Sequence, residues 1–124
     1  MEAQNQFATS VAQEMIEARR QPRFKINVDI KIDSKTCGLL QGQTVDISES
    51  GISAMLKLEV PIGELVELQF TLPFGPVKVY ALVRQRNAFR YGFQFVESHA
   101  VHEIIQAACR SLGMEQSLFG EKKP

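Results

Sequence analysis

The sequence has no tryptophan, only two cysteines among its 124 residues, no excess of either charge and no long apolar run. Cys37 and Cys109 lie far apart, in neither a CxxC nor any other metal-type spacing, and a single pair gives no disulfide framework. No apolar stretch approaches the roughly 20 residues that a membrane span requires. Residues 1–10 are polar and do not resemble a secretory signal. From these absences we expect a cytoplasmic protein.

The charges are balanced overall but unevenly placed. Lysine and arginine total 14, as do aspartate and glutamate, so the chain has no basic excess to drive non-specific nucleic-acid binding. Four cations nevertheless lie within the seven residues from Arg19 to Lys25. This segment is expected to attract anions. The remaining composition, 44% hydrophobic and 23% charged, is typical of one globular domain.

Apolar and polar residues alternate through most of the chain, as in half-buried β-strands. The clearest strand runs from Phe24 to Ile32, and turn residues separate the later ones. The later strands are predicted over residues 39–47, 52–58, 66–72, 77–83 and 89–95. The inward faces of the third and sixth strands are predicted to hold Ile52, Ala54, Leu56 and Leu58, and Phe89, Tyr91, Phe93 and Phe95, respectively.

A helix is predicted to follow the strands. After Ser98, a candidate N-cap, the apolar spacing changes from two to that of a helix, and Gly113 stands where a C-terminal cap is expected. Six short strands and one amphipathic helix predict a mainly β fold. We therefore expect a small six-stranded antiparallel barrel that is plugged or flanked by the helix.

The ends of the chain are predicted to lie outside this domain, which we place at residues 19–113. Apolar residues at every fourth position are compatible with a short helix in an N-terminal extension over residues 1–18. Pro22 opposes continuation of that helix, which should end near Arg20. Residues 114–124 are expected to form a flexible tail.

The first motif that carries chemistry is the RxxxR pair Arg19 and Arg23. Because Pro22 ends the preceding helix, we expect both arginines on a loop that enters the first strand. A guanidinium group there can bind phosphate through two parallel hydrogen bonds, or bind the O6 and N7 acceptors of guanine.

The second motif is Asp46-Ile47-Ser48-Glu49-Ser50-Gly51, between the second and third strands. By itself this sequence is typical of a β-turn, in which aspartate and serine cap backbone groups and glycine adopts a positive φ.

In this order and on this strand pattern, the two motifs resemble the signature of the PilZ domain family. That family is a six-stranded barrel that binds cyclic di-GMP, with RxxxR before the first strand and [D/N]xSxxG on a later turn. The resemblance covers roughly residues 19–112. It implies a cyclic di-GMP receptor. A one-domain binder is expected to pass its signal to a partner protein, and no cofactor or metal is expected, since no metal-ligand spacing is visible. No GxSxG, GxxxxGK or HExxH motif supports an enzyme.

The resemblance also implies a set of ligand-binding residues. Arg19 and Arg23 would bind the phosphates and guanine edges of cyclic di-GMP, and Asp46 and Ser48 would contact the other side of the guanine or phosphate. Gly51 would let the turn approach closely. Two further candidates are Arg20, inside the arginine loop, and Arg86, on the fifth strand.

Two alternative functions remain open on the sequence. One is a PilZ-like adaptor that binds proteins without a ligand, although members that have lost binding usually lack the arginines. The other is single-stranded nucleic-acid binding, with the aromatic rings of the sixth strand as a stacking platform beside Arg84, Arg86 and Arg90. These rings share one face, which in a small barrel is normally the core. Exposure of two or more rings would favour nucleic-acid binding.

Overall fold

The computed structural model describes residues 22–96 and 99–120, where one antiparallel sheet closes into a barrel. Its strands are β1 Phe24–Lys25, β2 Asp29–Ser34, β3 Gly38–Ile47, β4 Gly51–Met55, β5 Leu65–Leu72, β6 Gly75–Asn87 and β7 Arg90–Phe95, and helix α1 follows at His99–Gly120. The strand order is β1-β3-β2-β5-β6-β7-β4, and β4 pairs again with β3. Since β1 and β2 pair with successive parts of β3, they share one position. The fold is the predicted six-stranded barrel with one C-terminal helix.

The first predicted strand is divided at residues 26–28, where the backbone forms hydrogen bonds with the buried side chain of Thr44 as well as with the backbone of β3. Its Oγ1 accepts a hydrogen bond from the Val28 N–H at 2.9 Å and donates one to the Ile26 carbonyl at 2.7 Å. The predicted alternation continues across this break into β2, where Ile30 and Ile32 are fully buried. The break therefore changes the hydrogen bonding but not the inward face.

Helix α1 packs on the hydrophobic core through Ile105, Ala108 and Cys109, all of which are buried. Burial raises the pKa of the Cys109 thiol to about 11, so this thiol is neutral at pH 7. No helix in the described part of the chain is both long and apolar enough to cross a membrane.

Two side chains that were predicted to face the interior are exposed. Leu58 is 58% exposed because β4 ends at Met55, three residues earlier. Phe89 is 60% exposed because it lies in the tight connection between β6 and β7, where Ala88 has a φ of 56°. Alternation predicts a face only while the strand continues, and both residues lie beyond a strand end.

Helix α1 is also longer than predicted, because it continues through Gly113 to Gly120. Gly113 is therefore not the C-terminal cap. A Cβ atom at this position would lie 3.1 Å from the ring of Phe24, so the glycine lets β1 pack close to the helix. Farther along, the Gln116 amide accepts from the Lys25 N–H at 3.1 Å and donates to the Lys25 carbonyl at 2.8 Å. These two hydrogen bonds join the helix to β1 at Gln116, inside the segment that was predicted as a flexible tail.

The predicted N-terminal helix, which should end near Arg20, lies outside the described residues. The limits of the domain at residues 19 and 113 stay a prediction.

Candidate ligand-binding site

A β-bulge in β3 directs Asp46 to the outer wall of the barrel. Leu40 and Thr44 are buried, and a regular strand would turn Asp46 to the same inner face. The pairing of β3 with β4 shifts between Thr44 and Asp46. Ile47 is consequently the next buried residue, and Asp46 faces outward, because a shift of one residue exchanges the two faces.

Three donors meet at the Asp46 carboxylate. Its Oδ1 accepts from the Ser53 hydroxyl at 2.6 Å and from Arg23 Nη1 at 3.2 Å, and its Oδ2 accepts from Arg90 Nη2 at 2.7 Å. The Asp46 side chain is 15% exposed, whereas the side chains of Arg23 and Arg90 are 48% and 47% exposed. Two half-exposed cations therefore share one anion, which leaves this cluster with a positive charge open to solvent.

A cleft of about 340 Å³ opens beside this cluster, and its walls include Arg23, Arg86 and Arg90. Arg86 Nη1 lies 3.3 Å from the carboxylate of Glu59. A hydrogen bond with Tyr91, and then the charge of Glu59, raise the pKa of Arg86 above its usual value. Arginine side chains are cationic at neutral pH, so three cations on its walls make the cleft suited to an anionic ligand.

The turn after β3 is compact and leads from Ser48 to Gly51, two further predicted site residues. The Ser48 N–H donates to the Gly51 carbonyl at 2.8 Å, and the buried Ser48 Oγ lies 3.4 Å from both this carbonyl and the Ser50 Oγ. Gly51 does not have the positive φ expected of a turn glycine. Instead, a Cβ atom at Gly51 would lie 2.3 Å from the Phe93 carbonyl oxygen in β7. The glycine is needed so that β4 and β7 can approach each other.

We expect Gly51→Ala to destabilise the domain by about 3 kcal/mol, because the added carbon meets a backbone atom that cannot move aside alone. The control is Gly38→Ala, where a Cβ atom meets nothing within 4 Å and only a φ of 81° is strained, at a cost of about 1 kcal/mol. Urea denaturation measures both losses. A loss at Gly51 no larger than the loss at Gly38 would contradict this account.

The structure brings together Arg23 and Asp46, and it adds Ser53 and Arg90, which were not predicted in the cyclic di-GMP set. Arg90 was named only for the alternative nucleic-acid site. Arg19 and Arg20 lie outside the described residues. The alternation of β7 does indicate that Arg90 faces outward, opposite to Tyr91. Its meeting with Asp46 depends on the pairing of β4 with both β3 and β7, which no local pattern shows.

The stacking platform that nucleic-acid binding requires is not formed. Tyr91 and Phe93 are buried, with 1% and 3% exposed, and Phe95 is partly buried against the core. Of the four predicted rings, Phe89 alone is largely exposed. Among the described residues, no three histidine, cysteine, aspartate or glutamate side chains converge to hold a metal ion.

A comparison with models of protein families matches the PilZ domain over residues 17–110. The chain belongs to the PilZ domain family. This membership confirms the resemblance given by the two motifs. No curated protein matches this PilZ domain in sequence.

Solved structures share the fold of this PilZ domain at low sequence identity. The PilZ domain of YcgR from Escherichia coli, solved with c-di-GMP, has a TM-score of 0.66 at 17% identity, over 83% of this chain and 97% of that one. The PilZ domain of CeSA from a cellulose-synthesizing bacterium has a TM-score of 0.58 at 15% identity, over 76% of this chain and 98% of that one. The c-di-GMP complex of MrkH from K. pneumonia has a TM-score of 0.65 at 19% identity, over 79% of this chain and 53% of that one.

Proposed function

We propose that this PilZ domain is a cytoplasmic receptor that binds cyclic di-GMP, relays the signal to a partner protein and catalyses no reaction itself. The observation that carries the proposal is the meeting of Arg23, Arg90 and Asp46 beside a cleft that also contains Arg86. Cyclic di-GMP needs such a mixed site, because it presents anionic phosphates together with guanine edges that have both donors and acceptors. The c-di-GMP complexes of YcgR and MrkH, which share this fold, support the choice of ligand.

Each side chain of the site has a distinct task in this proposal. A carboxylate only accepts hydrogen bonds, so Asp46 suits the N1–H and the 2-amino group of guanine. The guanidinium group of Arg23 suits a phosphate or the O6 and N7 atoms of guanine, and Arg19 has the same task on the other arm of the RxxxR loop. Ser48 and Gly51 complete the proposed ligand set, and Arg20 and Arg86 are its further candidates.

The output is proposed to pass through a partner protein that binds the domain in its ligand-bound state. Among solved structures of this fold are an inhibitor of motility from Bacillus subtilis, MotI/DgrA, and MrkH, described as a c-di-GMP-dependent transcription regulatory factor. These descriptions name inhibition of motility and regulation of transcription as processes that proteins with this fold affect.

The proposed location in the cytoplasm agrees with the two free cysteines, Cys37 and Cys109, because thiols stay reduced in that compartment.

Calorimetric titration with cyclic di-GMP tests the proposal. Several charge-assisted hydrogen bonds together predict a micromolar or tighter Kd, and the stoichiometry distinguishes one ligand from a stacked pair. GMP is the control, since it offers a guanine and a phosphate without the cyclic arrangement, and it should bind far more weakly. A folded protein that shows no binding of cyclic di-GMP would refute the receptor and favour a ligand-independent adaptor.

A further inference from the structure

Ser53 is placed directly behind the Asp46 carboxylate. It lies opposite Asp46 in the ladder between β3 and β4, and opposite Gly92 in the ladder between β4 and β7. Although it belongs to the outer row of the barrel, Ser53 is only 3% exposed. Its hydroxyl donates to Asp46 Oδ1 at 2.6 Å and lies 3.4 Å from Arg90 Nη2, from which it can accept.

The hydrogen-bonding capacity of Asp46 limits how guanine can approach it. Each carboxylate oxygen has two acceptor sites. Among the described residues, Ser53 and Arg23 use both sites of Oδ1, whereas Oδ2 accepts from Arg90 alone. Guanine presents two adjacent donors, N1–H and the 2-amino group, which need one site on each oxygen. One donor must therefore leave Oδ1 before guanine can bind both oxygens.

Arg23 is the donor that can leave. Its bond to Oδ1 is 3.2 Å long against 2.6 Å for the bond from Ser53, and its side chain is 48% exposed. An exposed guanidinium group also loses little on leaving, because water replaces the carboxylate. Once released, Arg23 is available to the phosphate or to the opposite edge of guanine.

We propose that Ser53 is a positioning residue for guanine recognition, which holds Asp46 Oδ1 in place while guanine replaces Arg23 at this oxygen. The inference rests on the proposed binding of cyclic di-GMP. The terminal torsion of an aspartate is broad and roughly two-fold, so one partner alone fixes it poorly. Ser53 and Arg90, on different oxygens, together define the carboxylate plane. Without Ser53 the carboxylate is expected to turn towards the arginines, so that it no longer accepts from both guanine donors.

The test is a comparison of cyclic di-GMP with cyclic di-IMP, which lacks the 2-amino group and therefore one of the two donors. Calorimetric titration of the unmodified protein should show a preference for cyclic di-GMP of roughly 10- to 100-fold. Ser53→Ala should reduce this preference to about threefold or less, with little change in the affinity for cyclic di-IMP. Ser53→Thr keeps the hydroxyl group and should restore the preference.

Ser34→Ala is the matched control. Ser34 is another buried serine, 2% exposed, and its hydroxyl donates to the carboxylate of Glu64. It pairs with Gly38 at the far end of β3, roughly 26 Å from Asp46 at about 3.3 Å per residue. Loss of this serine should lower stability as Ser53→Ala does and leave the preference between the two ligands unchanged.

The outcomes separate the inference from the function on which it rests. If the unmodified protein fails to bind cyclic di-GMP, both the proposed function and the role of Ser53 are overturned. If it binds and Ser53→Ala keeps the full preference, or weakens both ligands equally, the positioning role is overturned and the receptor stands. Should circular dichroism show that the alanine variant is unfolded, Ser53→Cys provides the same test, because it keeps the volume and only a weak donor.

Discussion

Replacing both Arg19 and Arg23 with alanine is expected to remove measurable binding of cyclic di-GMP. Each bidentate contact of an arginine with a phosphate or a guanine edge contributes about 1 to 3 kcal/mol, so Arg23→Ala alone should weaken binding roughly ten- to a hundredfold or more. The two losses together should exceed the range that calorimetry can follow. Arg23→Lys should recover little of the affinity, since an ammonium group keeps the charge but not the planar fork.

The fold should survive these substitutions. Arg23 is half exposed and its ion pair with Asp46 is open to solvent, and such pairs stabilise proteins by at most about 1 kcal/mol. Arg110→Ala, on the exposed side of α1, controls for the loss of one positive charge and should leave the affinity unchanged. Unaltered affinity in the double variant, with a native circular dichroism spectrum, would show that the RxxxR loop is not the binding element.

Cyclic di-AMP is expected to bind at least roughly a hundredfold more weakly than cyclic di-GMP, because both edges of adenine mismatch the site. Asp46 needs the two donors that guanine supplies, and adenine offers a bare N1 acceptor instead. On the other edge, adenine replaces the O6 acceptor with an amino donor, which would face the guanidinium group of Arg19 or Arg23. Each buried group left unpaired costs about 1 to 3 kcal/mol.

Variants of Asp46 test the same selectivity from the side of the protein. Asp46→Asn keeps one accepting oxygen and should retain some binding, whereas Asp46→Ala should lose much of it. Because Asp46 also bonds Arg23 and Arg90, its removal frees two cations, and the residual binding of Asp46→Ala should distinguish the two dinucleotides much less, through the arginine edge alone. Comparable affinities of the unmodified protein in side-by-side titrations would mean that the site reads phosphate alone.

The alternation of apolar and polar side chains predicted the barrel well. Each strand buries one face, and every second residue along a strand lies on that face. The rule failed where a strand ended or gained a residue. Leu58 and Phe89 were placed in the core because the period was extended past the end of β4 at Met55 and before the start of β7 at Arg90. Gly113 was interpreted as a cap from its local propensity, yet packing against Phe24 makes a glycine favourable within the helix.

For the candidate site, the motif letters identified the proposed ligand set but not its arrangement. Arg23 and Asp46 were both named from the sequence, and in the structure Arg23 Nη1 lies 3.2 Å from Asp46 Oδ1. Ser53 and Arg90 carry no recognisable spacing relative to Asp46. They reach it because barrel closure places β4 between β3 and β7.

Local sequence patterns predicted the order of the strands along the chain, the closing helix and the membership in the PilZ family. These patterns are the period of apolar residues and two short motifs. Those patterns suffice because burial and turn geometry act on neighbouring residues. The outward aim of Asp46, its three donors and the approach permitted by Gly51 were decided only by the tertiary structure. Each depends on a one-residue bulge or on strands far apart in the chain, and hydrogen bonds across a closed barrel are set by register rather than by sequence spacing.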